Sequence, residues 1–128
     1  MLDSSIFDVW LSLLFKVVKE GFMYRGTTPT HTFNVDLDMR GMAIYITYSQ
    51  KGLVVLEKST EQEEIEVDKD YLRVHLTQED TLAFSTKGKN NDVEIQIRCV
   101  DSEGNADCSE IIRTPIERIL KDGEISYE

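Results

Sequence analysis

At Met23 the hydrophobic period of the chain changes, and that change limits the possible folds more than any composition figure. Upstream, apolar residues recur at Ile6, Val9 and Trp10, Leu13 and Leu14, and Val17, the 3.6-residue spacing of a helix. Asp3, Ser4 or Ser5 can cap its start and Gly21 stops it, so the spacing predicts a helix over residues 3–19. Such a helix is apolar on nearly every side and must pack on its own domain, join a second copy or lie in an apolar medium. The apolar run is interrupted by Asp8 and Lys16 and is shorter than the roughly 20 residues a bilayer span needs. It also lacks the basic start and small-residue cleavage site of a secretory signal. A second reading stays open for this segment. Lys19-Glu20-Gly21 can be encoded by a purine run resembling a bacterial ribosome-binding site, one short spacer before Met23, which would make Met23 the true start.

From Met23 onward apolar and polar residues alternate, the period of half-buried strands. His31, Phe33, Val35 and Leu37 share one face of residues 30–37, with Thr30, Thr32, Asn34 and Asp36 on the other. Residues 42–50 are rich in β-branched and aromatic side chains, Lys51-Gly52 is a tight turn, and residues 53–59 return as the hairpin partner. Residues 65–67 and 71–76 form a second pair. Thr77 and Asp80 nearly form a capping box that opens a helical turn, with Leu82 and Phe84 placed to plug the end of the core. Residues 93–100 are the strongest central strand, and residues 106–114 return before Pro115 ends the pairing. About seven short strands, with turn signals roughly every 8 to 12 residues, predict an all-β fold, an immunoglobulin-like antiparallel β-sandwich over residues 23–128 with an appended N-terminal helix in residues 1–22. Ile116, Ile119 and Leu120 should pack against it as a short C-terminal segment.

Charge and motifs narrow the function by exclusion. With 24 acidic against 14 basic residues the formal charge is −10, which repels phosphate backbones and anionic lipid, so neither direct nucleic-acid binding nor membrane binding is expected. The largest charge feature is residues 57–70, where Glu57, Glu61, Glu63, Glu64, Glu66, Asp68 and Asp70 face only Lys58 and Lys69. This run is either a solvated hairpin edge that discourages aggregation or an acidic decoy for a cationic groove. His31 and His75 lack metal-ligand spacing, Asp36 and Asp38 lack the rest of a calcium loop, and no nucleophile elbow or phosphate loop occurs. No catalytic, cofactor or metal site is expected. Cys99 and Cys108 flank one turn. If Glu103-Gly104 is a two-residue loop, they face each other; if Asp101 opens a type I turn with Gly104 left-handed, Cys99 faces Asp107 and both thiols stay free. Asp101 and Gly104 favour the second register.

Several stretches together resemble a family of small proteins encoded in prophages and tailed phages of Firmicutes and other gut bacteria. They are Met23-Tyr-Arg-Gly-Thr-Thr-Pro-Thr-His-Thr-Phe33, Ile46-Thr-Tyr-Ser-Gln50 with Val55-Leu-Glu-Lys58, Leu76-Thr-Gln-Glu-Asp-Thr-Leu82, Val93-Glu-Ile-Gln-Ile-Arg98 and Ile119-Leu-Lys-Asp-Gly123. The resemblance spans residues 23–125 and has no counterpart for residues 1–22. It implies a phage-associated β-sandwich, similar in outline to the immunoglobulin-like N-terminal domains of upper baseplate proteins, and carries over no catalytic or ligand-binding residues. The expectation is a virion structural or interaction module of the tail or baseplate, located in the virion and, during assembly, in the host cytoplasm. Its partners would be other phage structural proteins or further copies of itself. Sheet edges, the arm of residues 26–32 and the N-terminal helix would be its docking surfaces, with Phe7, Trp10, Leu14, Phe15 and Tyr24 as anchors. The alternative is an acidic anti-defence inhibitor that mimics DNA before a host nuclease, using Glu61, Glu63, Glu64, Glu66, Asp68 and Asp70.

Overall fold

The structure, a computed structural model, describes residues 17–20 and 23–127. Among the described residues, eleven strands and one short helix follow in the order β1 Val17–Glu20, β2 Met23–Tyr24, β3 Thr30–Val35, β4 Ala43–Gln50, β5 Leu53–Ser59, β6 Ile65–Val67, β7 Tyr71–His75, α1 Gln78–Leu82, β8 Val93–Val100, β9 Ala106–Cys108, β10 Ile112–Thr114 and β11 Ile116–Glu117. The fold is mostly β, and its two large sheets are antiparallel. One has the order β1-β3-β7-β6 and the other β10-β8-β4-β5, with β9 also on β8.

The alternation read from the sequence sets which face of each sheet is buried. His31, Phe33, Val35, Leu72 and Val74 from the first sheet join Ile44, Ile46, Tyr48, Ile95, Ile97 and Cys99 from the second in one buried cluster. Each large aliphatic or aromatic side chain so buried contributes about 1.5–3 kcal/mol. Phe84 is buried at the end of this core, as expected, and the Tyr48 ring lies 6.1 Å from it. The two sheets are also pinned by a polar contact: His31 Nδ1 lies 2.8 Å from the Tyr48 hydroxyl, both side chains fully buried. His31 thus takes the apolar register and His75 the exposed one, where its Nδ1 meets Thr30 Oγ1 at 2.6 Å.

Four expectations need correction or refinement. The helix predicted over residues 3–19 does not include its last residues, because Val17–Glu20 is a strand on β3 with Val17 opposite Val35 and Glu20 opposite Thr32. The open edge of β3 offers unpaired backbone groups, and the β-branched Val17 and Val18 suit a strand better than a helix. Residues 3–16 of that helix, with Phe7, Trp10, Leu14 and Phe15, lie outside the described residues. A chain beginning at Met23 would lack β1 and leave this edge of β3 bare. Second, the strand expected over residues 106–114 is two strands. The paired residue numbers sum to 206 at Arg98 and Cys108 but to 207 at Ile95 and Ile112, a one-residue bulge. The buried Ser109 sits at this shift, its Oγ accepting from Ile97 N and its own N–H donating to Ile97 O. Third, the arm of residues 26–32 is not free. Pro29 O accepts from Leu76 N, Thr27 O accepts from Thr81 Oγ1, and residues 30–32 already belong to β3. Gly26 has φ +75°, and a Cβ there would come within 2.7 Å of Ile119 Cδ1, so the arm and the C-terminal segment approach too closely for a side chain. Fourth, that C-terminal segment packs only in part: Ile116 is buried and pairs in parallel with Met23, but Leu120 is 92% exposed.

The turn chemistry of Thr77 and Asp80 closes into a full capping box, Thr77 Oγ1 accepting from Asp80 N and Asp80 Oδ2 from Thr77 N. Gly104 is left-handed at φ +88°, in the register that sets Cys99 opposite Asp107, and the two cysteines are not joined in a disulfide.

Candidate interaction site

Consecutive antiparallel strands return their connecting loops to one end or the other of a sheet, so the register decides which loops meet. β3 leads into β4 through residues 36–42. Asn34 opposite Tyr71 brings residues 68–70 to that same end, and Ala43 opposite Val100 brings residues 101–105 there. Asp36, Asp38, Asp68, Asp70, Asp101 and Glu103 are thereby gathered at one end of the molecule, with Glu61 alongside through its contact with Tyr45. Arg40 and Lys69 are the cations of these loops.

Most of these carboxylates shape their own loops. Asp38 takes Arg40 in a bidentate pair at 2.7 and 2.9 Å, and this bond holds its carboxyl down to about 2. Arg40 is raised in turn, first by Asp38 and then by the fields of Asp68 and Asp70 across the neighbouring loop. Asp101 caps its turn, accepting from the backbone of Glu103 and Asn105 and from the Asn105 side chain, which lowers its pKa. Asp68 Oδ1 accepts from Lys69 N at 2.6 Å.

The six residues of the predicted acidic patch do not act as one surface. Glu64 is half-buried, accepts from Ser59 N and pairs with Lys58 at 3.4 Å. Lys58 Nζ also reaches Asp80 at 2.9 Å, tying β5 to the start of α1. Burial disfavours both charges of that pair, but their mutual attraction and the Thr77 backbone bond outweigh it, leaving Lys58 raised and Asp80 lowered. Glu66 lies on β6 with Arg73 at 3.4 Å, and Arg73 stacks over the Tyr71 ring at 4.5 Å. Glu61 accepts from the Tyr45 hydroxyl at 3.1 Å and raises its pKa. Glu63, Asp68 and Asp70 stay exposed. The acidic end therefore differs from the acidic stretch: it gains Asp36, Asp38, Asp101 and Glu103, which sequence reasoning left out, and loses Glu64 and Glu66 to internal pairing. The missing signal was available in the turns, since counting which strand ends coincide places residues 36–42 and 101–105 beside residues 68–70.

Tyr24, the one predicted anchor within the described residues, is 47% exposed on β2, its carbonyl accepting from Thr27 Oγ1. A second surface of interest is the outer face of the β10-β8-β4-β5 sheet, which carries two shallow hollows. One, of about 310 Å³, is lined by Tyr45, Thr47, Glu57, Arg98, Cys99, Val100 and Ala106. The other, of about 270 Å³, lies between Val54 and Ile111 over Thr47, Ser49, Glu94 and Gln96. Val54 and Ile111 are 66% and 49% exposed. The Cys99 thiol faces the core and not the hollow, and burial first and then the Asp107 carboxylate push it up to about 11, so it is a poor nucleophile. Among the described residues no three His, Cys, Asp or Glu side chains converge as a metal-holding group, and no helix is long and apolar enough to cross a membrane.

No family model matches this chain, and no curated protein matches it.

Proposed function

We propose that this chain is an immunoglobulin-like β-sandwich that serves as a structural or interaction module of a phage particle, in its tail or baseplate, and acts by contact. The observation that carries the fold part is the strand order. β1-β3-β7-β6 and β10-β8-β4-β5 follow the order of the ABED and GFC sheets of immunoglobulin domains, with β5 added beside β4. A buried contact between His31 on β3 and the Tyr48 hydroxyl on β4 links the two sheets across the core. The phage part rests on the resemblance of residues 23–125, and the contact part on surfaces made of loops, edges and shallow hollows. Partners in this reading are other phage structural proteins or further copies of the chain. Mass spectrometry of purified virions should find the protein in the particle at stoichiometric level; its absence from intact particles overturns the reading.

The gathering of acidic loops at one end favours a second reading, an anti-defence inhibitor whose acidic end occupies the cationic groove of a host nuclease. The surface is then Glu61, Glu63, Asp68 and Asp70 with Asp36, Asp38, Asp101 and Glu103, without Glu64 and Glu66, which are held by Lys58 and Arg73. Inhibition of nuclease activity that survives Glu61→Gln, Glu63→Gln, Asp68→Asn and Asp70→Asn together rules it out.

A further inference from the structure

The outer face of the β10-β8-β4-β5 sheet has no covering element among the described residues, and its charges set it apart from the rest of the surface. A chain of formal charge −10 repels its own copies over most of its surface. The strand residues of this face are balanced. Alternation against the buried Ile44, Ile46, Ile95 and Ile97 turns outward two acids, Glu57 and Glu94, and two bases, Arg98 and Arg113. Around them lie Tyr45, Thr47, Ser49 and Gln96, with Val54 and Ile111 exposed toward the margins.

Glu94 and Arg113 neutralise each other at 2.9 Å. Glu57 and Arg98 do not. Neither forms an ion pair with a described residue, and Glu57 is met by the Thr47 hydroxyl at 3.4 Å. They cannot satisfy each other within one chain: Glu57 stands opposite Thr47 and Arg98 opposite Tyr45, with β4 between them, which sets them about 12 Å apart on ordinary sheet spacings.

An unpaired acid and an unpaired base at a fixed offset on one face are complementary to the same face of a second copy. Turning that copy over about a twofold axis in the plane of the face, midway between the two, lays each Glu57 on the other's Arg98. On a flat grid of about 4.8 Å between strands and about 3.4 Å per residue, the same rotation sets Val54 roughly 5 Å from Ile111 of the second copy, and it brings the two Glu94–Arg113 pairs together with opposite charges adjacent. The axis is placed by the charges alone, so the meeting of the two exposed aliphatic residues is a separate agreement. Tyr45 and Thr47 fall at the centre, where interfaces are enriched in tyrosine.

We propose that two copies of this chain associate through the outer face of the β10-β8-β4-β5 sheet, about a twofold axis that sets Glu57 of each copy against Arg98 of the other. A face about 27 Å long and about 14 Å wide is at the low end of specific interfaces, so the dimer is reversible and forms in the micromolar range or above. It needs only the fold: absence of the protein from virions would leave it standing.

Sedimentation of the full-length protein from low micromolar to submillimolar loading should show a reversible monomer–dimer equilibrium. Glu57→Arg and Arg98→Glu change exposed positions and should each keep the wild-type circular dichroism and thermal transition while weakening self-association at least tenfold, because like charges then face each other. An equimolar mixture of the two variants should associate again, since each supplies the charge that the other lacks, and so should the double variant that carries both changes. A wild type that stays monomeric at submillimolar loading overturns the proposal. So does self-association that persists in both single variants, which would place it on another surface, and so does a mixture of the two that stays monomeric.

Discussion

The two ends of the molecule use polar side chains in opposite ways. At the end where β4 turns into β5 and α1 sits, they tie separate elements together. Arg25 donates from Nε to Phe84 O at 2.7 Å and from Nη2 to Leu82 O at 3.0 Å, and its Nη1 meets Asp122 at 3.0 Å. Gln50, nearly buried, closes residues 85–91 with three bonds, two from its amide to Ser85 O and Asn91 O and one accepted from Ser85 N. Gln78 holds the backbone of Ile125 from both sides. At the acidic end the bonds of the loop aspartates are short-range: Asp38 to Arg40, Asp68 to Lys69, Asp101 to Asn105, with Glu61 to Tyr45 the longer-range one. Each aspartate bond shapes one loop and joins no two elements. One end is thus tied across several elements, and the aspartates of the other shape their own loops one at a time.

Substitutions can break this contrast, and the largest effect belongs to Arg25. Arg25→Ala removes charge-assisted bonds to two carbonyls that α1 leaves open at its C-terminal end, and it frees residues near Asp122 as well. A loss of about 2–3 kcal/mol is expected by urea denaturation. A loss below about 0.5 kcal/mol, the range of an ordinary surface change, would mean that this end is not the stitched one.

The acidic end should answer differently. Glu61→Gln, Glu63→Gln, Asp68→Asn and Asp70→Asn together keep the loop-shaping acceptors but remove like charges that repel across adjacent loops. Stability should move by no more than about 0.5 kcal/mol at moderate salt. At low salt it should rise, because the repulsion removed is screened less there. Urea titrations at two ionic strengths separate these outcomes, and a destabilisation as large as that of Arg25→Ala would erase the distinction between the ends.

What could be read from the chain follows the same division. The strands were legible because alternation is a local signal: residues 53–59, 65–67 and 93–100 match β5, β6 and β8. The capping box and the left-handed Gly104 were legible because turn chemistry is written in three or four adjacent residues. The stitches were not. Arg25 lies 57 and 59 residues from the carbonyls it bonds, and nothing in Arg25-Gly26-Thr27 marks it as more than a loop. β1 was misread because Val17 fits both a helical stripe and an edge strand, and the vacant edge of β3 decides between them. The acidic end lay between these cases: each loop was visible, but their meeting depends on register.

The smallest effect tests whether the acidic end carries a cost of its own. Asp107, on β9, is partly buried with Asp36 nearby, and its pKa is raised, by burial first and by the Asp36 carboxylate next, despite the opposing bond from Cys108 N. A carboxyl whose folded pKa lies above its unfolded value holds its proton more tightly in the native state. Stability from this group is therefore greatest below its ordinary 3.8 and falls as pH rises through the raised value. At neutral pH the ionised Asp107 is a net penalty. Asp107→Asn keeps an oxygen for Cys108 N and removes the charge, so the variant should be slightly more stable than the wild type at pH 7. The gain should shrink on acidification and vanish below the ordinary carboxylate value. Parallel urea titrations at pH 7, 5 and 3 read the difference directly. A variant that is less stable at pH 7 would show that the Asp107 charge is held by a favourable contact, and this loop would then belong with the stitched end.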